Sequence, residues 1–269
     1  MTNTLIVAWD FSEVAENALT YANLIAKRTN SDIYLVNVVK NENEVQPTLV
    51  KLEACIEKIG DLNLKPKVVV GGLYKSINSV ALELDAKMVV MGTHGAIGMQ
   101  KILGSKAIKV ITGSSIPYLV TQGPIKVNNE FLKITFPIDE YPETKEKLKI
   151  ALEIQKYFNS EFHIITQKSS VDVSIRNIKI NTNFIKGYFD ERSIKYSITE
   201  AKSTNLLNEV PSFAKEKKSD LIIIVTSKII MATDYFGGVA EQEILTNENN
   251  IPVLCVSPRK DLIKYGKFN

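Results

Sequence analysis

The stretch "KMVVMGTHGAIGMQKILGSKAIKVITGSSIPYLVTQ", residues 87–122, decides the fold class. It opens with a short apolar run, passes through a turn that contains four glycines, and continues into a helical pattern over 105–114. A second apolar run, residues 116–122, closes it. Two continuous apolar runs separated by a helix are typical of parallel strands that are buried on both faces of a sheet. The stretch therefore predicts a β-α-β unit.

The same alternation of strand and helix fills the first half of the chain. Ser12 is the predicted N-cap of the first helix, and Pro47 is predicted to open the second. Ligands of such doubly wound sheets bind beyond the carboxyl ends of the strands, at the point where the strand order reverses. The predicted strands are 4–10, 32–39, 65–72, 87–92 and 116–122, and the predicted helices are 12–29, 45–62, 76–86 and 105–114.

The second half of the chain repeats this pattern. Residues 133–167 follow the layout of 4–38, so that Asp139 occupies the place of Asp10 at an offset of 129. Further on, "DLIIIVTSK" (220–228) parallels "KMVVMGTHG" (87–95), and "NIPVLCV" (250–256) parallels "SIPYLVT" (115–121). Between them, 169–203 predicts a helix and a third strand near 195–201. The predicted class is α/β, with two tandem doubly wound five-stranded parallel-sheet domains, 1–124 and 131–269.

Composition restricts the possible function classes. The 269 residues include 33 Lys or Arg and 30 Asp or Glu, a balance too mild to indicate a partner such as nucleic acid or an anionic membrane. Two cysteines, Cys55 and Cys255, lack a C-x-x-C partner, so zinc is not expected. No run of 18 apolar residues and no secretory leader pattern is present. We expect a cytoplasmic soluble protein.

The glycine turn is the strongest candidate for a binding site. Neither a P-loop nor G-x-G-x-x-G is present; instead Gly92 and Gly95 form G-x-x-G, and eight residues later Gly104 and Ser105 open a helix. Backbone N–H groups at a helix N-terminus lack partners within the helix and attract anions. The turn is therefore suited to a triphosphate. The alternative, that the glycines serve only tight turns of a packed sheet, stays open on spacing alone.

Several of these residues carry a family resemblance. The first half has Asp-x-Ser-Glu after strand one, "VNVV" in strand two, "VMGTHG" followed by "LGS", and "IPYLV" at the end. Together they resemble the universal stress protein family, which the second half resembles more weakly. The resemblance implies ATP or AMP as cofactor, with Mg²⁺ as a candidate companion. It assigns nucleotide contacts to Ala8, Asp10, Val38, Met91, Gly92, Gly95, Gly104 and Ser105.

The chain departs from the family pattern in two places. Eight residues separate Gly95 from the Gly-Ser pair, where nucleotide-binding relatives usually have nine. In the second half, Val225 and Lys228 stand in the places of Gly92 and Gly95. We predict that the second half does not bind nucleotide in the family's mode and serves as a built-in partner. The strands 116–122 and 250–256 are predicted to pair within the chain, and a homodimer is possible.

Three function classes remain on these grounds. The first is a nucleotide-binding stress-response or signalling module, and the second is an interaction scaffold that binds no nucleotide but has a protein partner. The third, an enzyme on a related adenine nucleotide hydrolase-like fold, lacks both signatures S-G-G-x-D-S and H-I-G-H. We expect no enzyme, although slow ATP hydrolysis stays open. Trp9 is interpreted as packing against a helix on the other face of the sheet, with shaping of the base pocket as the alternative. His94 is interpreted as an exposed loop residue, with a phosphate contact or an acid-base role as the alternative. His163 is interpreted as a structural histidine, and no catalytic triad is evident.

Overall fold

A computed structural model describes residues 3–60, 63–93, 111, 114–124, 130–226 and 244–258. The chain divides into two compact units, Met1–Val127 and Asn128–Asn269. Gly95, Gly104, Ser105, Lys228 and His94 lie outside the described residues, as does nearly all of the predicted helix 105–114.

The first unit is a parallel sheet in the order β3-β2-β1-β4-β5. Its strand order reverses between β1 and β4, because the chain first extends the sheet through β2 and β3 and then returns to the other side of β1. This arrangement confirms the predicted doubly wound α/β class. The strands are β1 Asn3–Ala8, β2 Ser31–Val39, β3 Leu64–Val70, β4 Met88–Gly92 and β5 Tyr118–Thr121; the helices are α1 Glu13–Thr29, α2 Val45–Ile59 and α3 Leu73–Glu83.

The helix boundaries show which sequence signals carry information. Ser12 caps α1 as predicted, because its Oγ accepts a hydrogen bond from the backbone N–H of Ala15 at 3.4 Å. The second helix begins at Val45, so that Pro47 lies inside its first turn, where a proline is tolerated. Helix α3 begins at Leu73, three residues before the predicted start. Leu73 and Lys75 in its first turn are exposed, and exposed positions do not add to the apolar periodicity of a buried helix face.

The second unit has the equivalent strand order, β10-β9-β6-β7-β8, again with parallel pairs. The segment 169–203 holds a helix and a third strand, as predicted from its apolar pattern. The strands are β6 Lys133–Ile138, β7 Glu161–Thr166, β8 Tyr196–Glu200, β9 Leu221–Val225 and β10 Val253–Val256; the helices are α4 Leu148–Phe158, α5 Asp172–Glu191 and α6 Leu206–Glu216.

The two units differ where the first strand leads into the first helix. Helix α1 begins at Glu13, whereas the second unit has a short 3₁₀ helix, Pro142–Lys145, before α4 begins at Leu148. Lys147 occupies the position that Ala18 holds in the first unit. It is only 2% exposed, and its Nζ donates to the Pro137 carbonyl and to Thr144 Oγ1. A buried ammonium needs such acceptors. These hydrogen bonds stabilise the irregular turn that replaces the first turn of a regular helix.

Candidate functional site

Five of the predicted site residues meet at one edge of the first sheet. Ala8 pairs with Val36 on β2, and the neighbouring pair Val7–Val90 aligns β1 with β4. This register brings the carboxyl ends of β2, β1 and β4 together at the reversal of strand order. The predicted residues that lie at these strand ends or directly after them are Ala8, Asp10, Val38, Met91 and Gly92.

Asp10 presents an exposed carboxylate directly after β1. Its Oδ1 accepts hydrogen bonds from the Ser12 backbone N–H at 3.0 Å and from the Ser12 hydroxyl. Between them, Phe11 adopts a left-handed backbone conformation with φ of 63°. Because Ser12 also caps α1, the turn that orients the carboxylate is fixed to the start of that helix. A carboxylate held in this way is suited to accept hydrogen bonds from ligand hydroxyl groups.

Aromatic side chains and a lysine surround the backbone of this turn. Trp9 is 3% exposed and contacts Phe11 edge-on, with 6.2 Å between ring centroids. Asn37 donates from Nδ2 to the Trp9 carbonyl at 2.8 Å, which links the ends of β1 and β2. Lys51 of α2 places its Nζ 3.9 Å from the centre of the Phe11 ring. Trp9 is therefore a buried side chain, and its Nε1 has no acceptor among the described residues.

Gly92 has a structural role that the sequence did not reveal. A Cβ atom at this position would lie 2.0 Å from the Val14 carbonyl oxygen and 2.5 Å from the Val14 carbonyl carbon. The glycine pairs with Thr121 as the last residue of β4, and its φ is not in the left-handed range. Glycine is thus required here so that the first turn of α1 can approach β4 closely. This packing requirement is separate from the nucleotide contact that the family resemblance assigns to Gly92.

The equivalent edge of the second unit is internally hydrogen-bonded. Asp139 Oδ1 accepts from the Tyr141 backbone N–H at 3.1 Å, as Asp10 does from Ser12. Asn181 of α5 is 3% exposed and donates from Nδ2 to the Asp139 carbonyl at 2.9 Å and the Tyr141 carbonyl at 3.0 Å. A further hydrogen bond joins Ser174 of α5 to Glu140. Helix α5 is therefore fastened to the loop that follows β6.

Two more positions distinguish this edge from its counterpart. Gln167 occupies the place of Val38, and its Oε1 accepts from the Glu140 backbone N–H at 3.4 Å. Val225 ends β9 where Gly92 ends β4. The second unit accommodates the Val225 side chain at this position, and in this unit a 3₁₀ helix replaces the first turn of a regular helix. The loop backbone and the strand end are thus occupied by the chain's own side chains.

A second polar cluster lies on β7 and β8. His163 Nδ1 is 3.0 Å from Ser197 Oγ, and His163 Nε2 is 3.5 Å from Glu161 Oε1. Glu161 and His163 alternate along one strand, and Ser197 is the register partner of His163, so ordinary strand geometry accounts for the row. The sequence could not show it, because 34 residues separate His163 from Ser197. Among the described residues, no group of three His, Cys, Asp or Glu side chains is placed to hold a metal ion.

Burial lowers the pKa of His163, and this effect outweighs the opposing attraction of Glu161. The unfolded chain therefore binds a proton at this residue first as the pH falls below about 6.5. The stability that depends on neutral His163 is present above that pH and is lost as the pH falls toward the folded-state pKa. We expect His163→Gln to lose less stability than the wild type between pH 7 and pH 5. Urea unfolding at both values measures this, and equal losses in the two proteins would contradict it.

Fold and site together define the class of protein. The chain is an α/β protein with the adenine nucleotide alpha hydrolase-like fold, and its candidate site lies at the switch point of the first sheet. Residues 1–122 match the model of the Universal stress protein family. A curated universal stress protein of Methanocaldococcus jannaschii is 28% identical over 142 residues, covering 45% of this chain and 83% of that protein. The first half of the chain is thus similar in sequence to the universal stress protein family.

Solved structures resemble the fold of the whole chain. A universal stress protein from Archaeoglobus fulgidus is 19% identical with a TM-score of 0.77, over 96% of this chain and 99% of its own. A Pseudomonas aeruginosa protein of unknown function is 16% identical with a TM-score of 0.66, over 98% of this chain and 95% of its own. At these identities the likeness establishes the fold. In the part of the chain that the structure describes, each helix is too short or too polar to cross a bilayer.

Proposed function

We propose that the first unit binds an adenine nucleotide, ATP or AMP, at the switch point, and that binding serves a stress-response or signalling role. The observation that carries the proposal is the convergence of Asp10, Val38 and Met91 at the carboxyl ends of three adjacent strands, with the Asp10 carboxylate exposed. Doubly wound sheets bind their ligands at this place. The match of residues 1–122 to the universal stress protein model supports the same choice of ligand.

In this proposal, different residues contact the sugar, the base and the phosphates of the nucleotide. Asp10 accepts hydrogen bonds from the sugar hydroxyl groups, and the backbone beside Val38 and Met91 contacts the base. Gly95, Gly104 and Ser105, which lie outside the described residues, supply backbone and hydroxyl donors for the phosphates, as the family resemblance implies. Mg²⁺ would accompany the phosphates of ATP. No side chain is assigned a catalytic role, so we propose a binding protein and no enzyme.

The second unit is proposed to bind no nucleotide. Its equivalent of the Asp10 turn is hydrogen-bonded to Asn181 and Gln167, and Val225 replaces Gly92. A ligand at this edge would have to displace these internal hydrogen bonds, each of which contributes about 1 kcal/mol to stability. The chain would therefore carry one functional site and one structural copy.

Calorimetric titration with ATP and with AMP tests the proposal. Asp10→Asn keeps an oxygen that accepts from Ser12 but loses the charge, so we expect binding to weaken about tenfold or more. Asp139→Asn is the matched control, because it makes the same change at the equivalent turn of the second unit, and we expect unchanged binding. Absence of heat from the wild type at millimolar nucleotide, or an equal loss in both variants, would contradict the proposal.

A scaffold that binds no nucleotide is the second candidate. It is favoured by the packing of Gly92 against Val14, which requires a glycine whether or not a ligand is present. Treating the purified protein with acid releases any bound nucleotide, and chromatography of the released material distinguishes the two candidate functions. Recovered adenine nucleotide supports the first proposal, and its absence together with a silent titration supports the scaffold. Incubation with ATP in the same assay measures any slow hydrolysis.

A further inference from the structure

We propose that the outward face of α5 packs in antiparallel fashion against the same face of a second copy of this chain. The inner face of the helix is buried through Ile178, Asn181, Ile185 and Phe189. On the outer side, large apolar side chains recur at helical spacing and remain exposed. This outer stripe consists of Val173 (67% exposed), Ile180 (53%), Phe184 (43%) and Tyr188 (36%). Helix α5 therefore has two apolar faces, and only one of them is covered by its own unit.

The fold itself does not require the outer stripe. Helix α2 connects the second and third strands of the first unit, as α5 does in the second. Its outer face carries Val50 among Gln46, Glu53 and Glu57, which is the usual polar surface of an amphipathic helix. An apolar stripe that the equivalent helix lacks indicates a contact specific to α5.

One antiparallel register satisfies several features of α5 at once. Gly187 lies in the exposed part of the helix, and a Cβ there would meet no atom within 4 Å. Placing Ile180 opposite Gly187 of the second copy lets the isoleucine enter the gap that the glycine leaves. The same register places Arg176 opposite Glu191 of the second copy and brings the two Phe184 rings together at the two-fold axis.

Charge and surface area both favour a second copy as the occupant. Arg176 and Lys179 outnumber Asp172 in the first half of α5, and Asp190 and Glu191 outnumber Lys186 in the second half, so an antiparallel pair brings opposite net charges together. Glu191 also pairs with Arg192 of its own chain at 3.0 Å. The four stripe residues are 36% to 67% exposed in one copy, so pairing would remove a continuous apolar surface from water. A single pair of helix faces forms an interface at the small end of the range for specific complexes. We therefore expect a dimer that dissociates on dilution.

Sedimentation velocity of the full chain over a wide concentration range tests this surface. We expect a concentration-dependent dimer in the wild type and a monomer in Ile180→Glu, because a carboxylate would be buried in the contact. Val50→Glu is the matched control, since Val50 is 55% exposed and Ile180 is 53% exposed. It should dimerise like the wild type. Unchanged circular dichroism of both variants would show that the folds are intact.

Charge reversal tests the register independently. Arg176→Glu and Glu191→Arg should each weaken the dimer about tenfold, and the double variant should recover most of the loss. A wild type that stays monomeric at all concentrations would overturn the proposal. So would a dimer that survives Ile180→Glu, a double variant no stronger than either single variant, or binding of the monomer to lipid vesicles through this face in place of self-association.

Discussion

Gly92→Ala is expected to destabilise the first unit by about 3 kcal/mol, the upper part of the range for overpacked sites. The added Cβ would lie 2.0 Å from the Val14 carbonyl oxygen, and neither partner can move cheaply. Val14 belongs to the first turn of α1, which Ser12 caps, and Gly92 is held in the sheet by Thr121. Trp9 is the single tryptophan of the chain, so urea unfolding followed by its fluorescence reports this unit.

Gly72→Ala provides the control for this experiment. Gly72 has a φ of −83°, and a Cβ there would meet no atom within 4 Å, so we expect a change close to zero. If Gly92→Ala were as stable as Gly72→Ala, the first turn of α1 would not approach β4 as described. The glycine would then need another explanation, and a role in ligand binding alone would be the natural one.

Asn181→Asp is expected to destabilise the second unit by a similar amount, about 3 kcal/mol. The amide Nδ2 donates to two backbone carbonyls of the loop after β6, at 2.9 and 3.0 Å, and the residue is 3% exposed. Aspartate has nearly the same shape but replaces the donor with a carboxylate that faces two carbonyl oxygens. Losing buried hydrogen bonds and burying an unmatched charge both contribute. Scanning calorimetry of the full chain measures the effect.

Asn183→Asp is the matched control, because it makes the same chemical change at an exposed position on the same helix. It should alter the melting temperature of the second unit by little. If Asn181→Asp and Asn183→Asp had the same melting temperature, α5 would not be held to the loop through the Asn181 side chain. The proposal that the second unit binds no nucleotide would then lose its main support.

The strands and most helices could be predicted from the sequence because their signals are local. Buried strands such as β1 and β4 are continuous apolar runs, and Ser12 precedes its helix at the spacing that capping requires. The start of α3 was missed because the exposed residues Leu73 and Lys75 do not continue the periodic pattern of the buried face. The lead into α4 differed from its counterpart because Lys147 is buried there, and a buried lysine is indistinguishable in sequence from a surface one.

The candidate site could be predicted only in part. Asp10, Val38 and Met91 follow from the rule that parallel strands present their carboxyl ends at one edge. The close approach of Val14 to Gly92 was not visible, because it depends on where a helix lies over a strand far along the chain. The bonds of Asn181 to the loop after β6 were missed for the same reason, since about 40 residues separate the partners. Contacts between distant elements leave no spacing in the sequence.

The two units thus share a strand order but differ in how the end of the first strand is used. In the first unit, the Asp10 carboxylate is exposed, and glycine 92 allows a regular helix to start beside it. In the second, Asn181 of α5 and Gln167, directly after β7, hydrogen-bond to the equivalent turn. This difference is the physical basis for proposing one nucleotide site per chain.

The stoichiometry of nucleotide binding tests that claim most directly. The full chain, freed of any nucleotide that copurifies, should be titrated with ATP in the presence and absence of Mg²⁺, and the number of bound molecules per chain determined. We predict one molecule, bound at the first unit and sensitive to Asp10→Asn. Two molecules per chain would contradict the proposal that the second unit binds no nucleotide. The absence of any bound nucleotide would contradict the proposed site in the first unit.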